Sequence, residues 1–150
     1  VYQAIQGWAD VLGLSDTKPD THILIEASSL RDICLHLRDD PKWQFNMLHC
    51  VSGLDQGEKL GVVYHLFSLT KRHFAVLKTE VPKDSATVPS LTSVWPAADW
   101  LERETYDLVG VRFEGHPDLR RILLPEDWEG HPLWKDYEML EHEELREKGY

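Results

Sequence analysis

A chain of 150 residues, 42% hydrophobic and 28% charged, is long enough for one domain with its own core. Its net charge of −10 excludes an electrostatic grip on nucleic-acid phosphates or on an anionic lipid surface. The two cysteines, Cys34 and Cys50, form no CxxC and are too few for a cluster site, and no apolar run reaches the ~20 residues of a membrane span. With no signal-peptide pattern at the start, two reduced thiols in a cytosolic protein are expected, with any membrane attachment made through a partner.

Val1, Ala4, Ile5, Trp8, Val11 and Leu12 are spaced for a helix that Gly13 can end, and 15–20, with Pro19, reads as a loop. The run 22–27, with Ile23, Leu24 and Ile25, predicts a short buried strand. Ser29 followed by Asp32 resembles a capping box. Leu30, Ile33, Cys34 and Leu37 then line one helical face, which Asp39, Asp40 and Pro41 close. Residues 45–51 predict a strand, 52–61 with three glycines a turn, and 62–69 a strand. That strand alternates between Val63, His65, Phe67, Leu69 on one side and Val62, Tyr64, Leu66, Ser68 on the other. A turn at 70–72 and a strand over 74–81 complete an antiparallel meander. Helices grouped apart from a run of strands predict an α+β fold of two layers, helices packed on a mostly antiparallel sheet.

Pro96 suits the first turn of a helix that runs to about Val109, and Gly110 suits the left-handed residue that ends it. Ala97, Trp100, Leu101 and Leu108 share one arc of that helix, which predicts its buried stripe. Glu104 lies inside the same arc, so an arginine partner is expected from Arg112, Arg120 or Arg121. Arg103 and Asp107 lie outside it and can pair at i, i+4. Beyond Pro125 the composition changes. Nine acidic and three basic side chains stand over 126–150, broken by Gly130 and Pro132. The chain is therefore read as one domain over 1–125 and an extended, interface-forming acidic C-terminal arm over 126–150.

The stretch WLERETYDLVG (100–110), then GHPDLRRIL (115–123) and PLWKDY (132–137), resembles the 30-kilodalton subunit of respiratory complex I, the C subunit of the bacterial enzyme. The strand VVYHLFSL (62–69) is also similar to that family. The resemblance implies an accessory, non-catalytic subunit in the peripheral arm of a proton-translocating NADH:quinone oxidoreductase. It further implies a place beside the large quinone-cavity subunit and the iron–sulfur subunits. NADH, FMN, iron–sulfur clusters and quinone would be held by those partners and none by this chain. The location would be peripheral on the cytoplasmic face of the bacterial inner membrane, with the mitochondrial matrix side or chloroplast stroma as alternatives. The residues the resemblance marks as an interface or structural motif are Glu102, Arg103, Glu104, Tyr106, Asp107, Gly110, Gly115, His116, Pro117, Arg120, Arg121, Trp128, Trp134, Lys135, Asp136 and Tyr137. Where the family usually has Arg in its PLRKDY ending, this chain has Trp134, which cannot clamp a carboxylate and is expected to bury against a neighbour instead.

Other chemistries lack their patterns. His116, His131 and His142 show neither HxxxH nor HExxH spacing, and 110–115 lacks the GxGxxG of a dinucleotide loop. No GxSxG elbow supports a Ser–His–Asp triad. Glu102 and Glu104, two apart on a helix, point to different sides and cannot flank one glycosidic bond. A stand-alone hydrolase is thus set aside. The equivalent subunit of a membrane-bound hydrogenase, or of another quinone-linked dehydrogenase, is the alternative within the same family. Arg112, Arg120 and Arg121 are read two ways: paired internally with Glu102, Glu104, Asp107 and Glu126, or anchoring an interface, where Arg and Trp are enriched.

Overall fold

The computed structural model describes residues 5, 11–15, 21–139, 146–147 and 149. Five strands form the main sheet: β1 (Val11–Ser15), β2 (His22–Ile25), β3 (Met47–Asp55), β4 (Lys59–Ser68) and β5 (His73–Pro82), in the order β1-β2-β5-β4-β3. β3, β4 and β5 make the expected antiparallel meander, and among the described residues of this sheet only the β2–β5 pair is parallel. Helices α1 (Leu30–Asp39) and α2 (Ala98–Val109) pack on one face, and a two-stranded parallel ribbon of β6 (Thr87–Pro89) and β7 (Arg112–Glu114) flanks α2. The architecture is the expected two-layer α+β fold.

The alternation read in β4 is what the sheet uses. Leu60, Val62, Tyr64 and Leu66 are buried beneath the helices, while Val63, His65 and Phe67 face away. On α1 the stripe Leu30, Ile33, Cys34 and Leu37 is buried, as its spacing predicts. Cys34 and Cys50 are both free thiols.

Four local expectations fail. Val11 and Leu12 belong to β1, not to a helix, because backbone pairing with β2 outweighs a weak helical spacing. The remainder of that expected helix lies outside the described residues, apart from the fully buried Ile5. The turn expected over 52–61 shrinks to Gln56, Gly57 and Glu58. Strand pairing continues through Gly53 and Gly61, and Asp55 Oδ1 accepts the Gly57 N–H at 2.7 Å to tighten the reversal. Phe45 precedes its strand, fully buried, with its carbonyl accepting the indole N–H of Trp95 at 2.9 Å. Ser29 makes no side-chain cap, since a 3-10 turn over Ala27–Ser29 holds it in the right-handed helical region instead of the extended conformation a cap requires.

Two glycines set the position of α2. A Cβ on Gly53 would stand 2.8 Å from Thr105 Cγ2 and Val109 Cγ2, so the bare strand lets the helix approach β3. Gly110 ends α2 with φ 81°, and a Cβ there would meet the His131 ring at 2.5 Å.

Candidate functional site

α2 and the chain that wraps its C-terminal end hold most of the motif residues. The helix buries Ala98, Glu102, Arg103, Thr105, Asp107 and Val109, and Trp100 is 64% exposed. Its buried carboxylates are therefore Glu102 and Asp107. Glu104 is exposed, and no arginine pairs with it among the described residues. Of the expected stripe, Ala97, Trp100 and Glu104 face outward, while Leu101 and Leu108 are half-buried against the core. Hydrophobicity alone misplaces Trp100 because two polar flanks of α2 are enclosed by chain that hydrogen-bonds Glu102, Arg103 and Asp107.

On the first flank Glu102 reaches the segment before the helix. Its Oε1 accepts the Leu91 N–H at 2.6 Å and its Oε2 accepts the Ser90 hydroxyl at 2.7 Å. Burial pushes this carboxyl up to about 7, against the pull of those two donors. Arg31 binds the Ser90 and Glu114 carbonyls close by, which ties α1 to β7.

On the second flank Asp107 organises the loop after β7. Its Oδ2 accepts three consecutive backbone N–H groups, from Ile122, Leu123 and Leu124, at 3.0, 2.7 and 2.9 Å. Its Oδ1 takes the Arg121 guanidinium at 2.7 Å. Burial opposes the charge, but Arg121 and the N–H groups outweigh it and hold the carboxyl below the ordinary range. Arg121 also donates to the Trp128 and Gly130 carbonyls, and His131 Nδ1 lies 2.9 Å from the Asp107 carbonyl. Arg103 does not pair with Asp107 at i, i+4. Its guanidinium turns to the carbonyls of Arg120 and Arg121, with the Trp100 ring 5.2 Å away.

His116 accepts the Asp118 N–H on Nδ1 at 3.0 Å, so Nε2 carries the proton and donates to the Asp99 carbonyl at 3.1 Å. Pro117 sits in that turn, and Gly115 before it adopts φ 82°. Of the set Glu102, Glu104, Asp107 and Glu126, Asp107 alone forms an ion pair with Arg112, Arg120 or Arg121 among the described residues. Arg120 is exposed and pairs with Asp118 at 2.8 Å, and Arg112 is exposed on β7.

Residues 131–137 lie on this body. The Trp134 indole N–H donates to the Val109 carbonyl at 2.7 Å, and Lys83 Nζ sits 4.1 Å from its ring centre. Lys83 bridges Asp55 at 3.0 Å and Asp136 at 2.7 Å. The Lys135 N–H donates to Asp55 at 2.9 Å, and the Tyr137 hydroxyl donates to the Glu129 carbonyl. The N–H groups of Gly57 and Lys135, with Lys83, draw the Asp55 carboxyl down to about 2. Sequence reasoning misses both Asp55 and Lys83. The D-x-G turn at 55–57 is a signal for Asp55, whereas nothing local marks Lys83.

Among the described residues two apolar areas concern the motif helix and the sheet. One is the outward arc of α2 with Leu133. The other lies on the uncovered sheet face, where Met47, His65, Phe67, Leu69 and Phe74 border a groove of about 460 Å³. Among the described residues no three His, Cys, Asp or Glu side chains converge as metal ligands would. No helix among them is long and apolar enough to cross a membrane.

The class so defined is a two-layer α+β domain with a polar, hydrogen-bonded wrap around one helix end. The family model for the 30 Kd subunit of respiratory-chain NADH dehydrogenase matches residues 23–143, and the chain belongs to that family. The C subunit of the NADH-quinone oxidoreductase of Roseiflexus sp. strain RS-1 is 45% identical over 129 residues, which is 84% of this chain and 74% of the relative. That of Chlorobium phaeobacteroides is 47% identical over 130 residues, 85% of this chain and 78% of the relative. A solved trypsin-resistant fragment of Nqo5 matches at 30% identity with a TM-score of 0.64, covering 71% of this chain and 89% of that one. A chain of the archaeal membrane-bound sulfane sulfur reductase shares the fold at 24% identity, with a TM-score of 0.75 over 98% of this chain and 87% of that one.

Proposed function

We propose that the chain is an accessory subunit in the peripheral arm of a proton-translocating NADH:quinone oxidoreductase. It supports electron transfer without itself handling electrons. It holds the large quinone-cavity subunit and the iron–sulfur subunits in register, on the cytoplasmic side of the membrane, and touches the membrane only through them. NADH, FMN, iron–sulfur clusters and quinone belong to those partners. The isolated chain is inactive.

The observation that carries this reading is the match of the family model over 23–143, which includes the whole of the wrapped helix end. The geometry supports it. The buried charges of 102–137 are mostly satisfied within the chain, which makes a rigid ledge, while large apolar side chains remain on the surface. The acidic arm over 126–150 is interface-forming in this reading, with residues 131–137 fastened to the body as a base for it.

Arg120 and Arg121 test the anchor role separately. Arg120 is exposed, so Arg120→Ala should leave the melting of the isolated chain unchanged and reduce its incorporation into the peripheral arm several-fold. Arg121→Ala should impair both, because that guanidinium clamps the chain's own loop. Normal assembly and normal quinone reduction by both variants would remove these arginines from the account.

A further inference from the structure

The outward side of α2 is built for something other than water. Ala97, Trp100 and Glu104 are the exposed members of an arc of about 100° that the half-buried Leu101 and Leu108 complete, and both flanks of that arc are closed by this chain. Trp100 is 64% exposed and Leu133 is 56% exposed. Leu133 is fixed beside the helix by its N–H, which donates to the Leu108 carbonyl at 3.1 Å. Glu104, Leu108 and Leu133, with Val51 and Ser52 of β3, line a shallow depression of about 200 Å³. The Trp100 ring is positioned as well, since the Arg103 guanidinium beneath it is held by two backbone carbonyls.

Glu104 stands at the middle of this arc. Asp107, one turn further along the helix, has Arg121, but Glu104 forms no ion pair among the described residues. Any partner that covers Trp100 and Leu133 strips water from Glu104 too, and a buried carboxylate needs a cation and hydrogen bonds to offset that loss. A purely apolar partner, or a second copy presenting the same arc, leaves the charge unmatched or opposed. We propose that this face docks a segment of a neighbouring subunit in which one lysine or arginine is surrounded by apolar side chains, with the cation on Glu104 and the apolar groups on Trp100, Leu108 and Leu133. This rests on the reading of the chain as a subunit and adds the face used and the chemistry of its partner.

The test uses affinity-tagged full-length chain in place of the native one, recovered from membranes in mild detergent. Subunits carried along are quantified for the unaltered chain and for Glu104→Lys, Glu104→Gln and Trp100→Ala. A photo-activated cross-linking residue at Ala97 maps what lies opposite. Glu104→Lys is expected to lose at least tenfold in recovered partner, with smaller losses for Glu104→Gln and Trp100→Ala. Melting of the isolated variants should match the parent, because all the changed side chains are exposed. The cross-linked peptide should carry a lysine or arginine among apolar residues. Full recovery with Glu104→Lys overturns the proposal, as does a cross-link to lipid, to a second copy or to an acidic segment. If the unaltered chain brings no subunits with it, the subunit reading itself fails, and this proposal with it.

Discussion

Replacing Asp107 with alanine should lower the unfolding free energy by about 3–5 kcal/mol, the cost of leaving a buried charge and its partners uncompensated. Arg121 would lose its carboxylate, and the N–H groups of Ile122, Leu123 and Leu124 would lose their shared acceptor. The damage should concentrate in the loop, so amide exchange at 122–124 should accelerate well beyond that of β4. Asp107→Asn should fall between, since it keeps an oxygen for the three N–H groups but turns a donor toward Arg121. A double-mutant cycle with Arg121→Ala should return a coupling of about 1–3 kcal/mol. Urea denaturation within about 0.5 kcal/mol of the parent, with unchanged exchange at 122–124, would mean that Asp107 does not hold the loop.

Glu102 should make the domain less stable as pH rises, and the sign follows from its environment. Its carboxyl titrates near 7 in the folded chain, against an ordinary value of 4.5. The folded state therefore favours the neutral form. The stability associated with that form is full below about pH 4.5 and is lost progressively as pH rises through 7, on the order of 3 kcal/mol when complete. In Glu102→Gln the side chain stays neutral at every pH. Its oxygen can accept the Leu91 N–H and its amide can donate to the Ser90 hydroxyl oxygen. The unfolding free energy of Glu102→Gln minus that of the parent should rise by about 1–3 kcal/mol between pH 5 and pH 8. Taking the difference cancels the histidines common to both proteins. A difference that stays flat over this range would show that the carboxylate is charged and fully satisfied in the core.

These two carboxylates also mark where the sequence is legible and where it is not. Period-2 alternation in β4 and period-3.6 spacing in α1 report a single buried face against an apolar neighbour, and both can be read directly. α2 has three surroundings instead of two. Its arc around Trp100 and Glu104 is outward, with only Leu101 and Leu108 half-buried, and its enclosed flanks carry Glu102, Arg103, Thr105 and Asp107, so a hydrophobic count misplaces the buried face. The partners that make those flanks buriable, Ser90, Leu91 and the loop 120–124, come together only through the fold. Gly110 can be read as a helix end because its left-handed backbone is a local demand. The long-range clasp from Lys83 to Asp55 and Asp136 has no local signature. Motif resemblance groups Asp107, Arg121 and Trp128, and the hydrogen bonds that run from the Arg121 guanidinium to the other two give that grouping a physical reason.

The central claim is that the chain works by fitting against proteins that carry redox groups. The most direct measurement is recovery of the tagged chain from native membranes, followed by mass spectrometry of its companions and iron and flavin assays of the chain once separated. Companions that include quinone-cavity and iron–sulfur subunits, with no iron or flavin retained by the separated chain, are the predicted result. A chain that emerges alone, or that keeps a redox group on its own side chains, would contradict it.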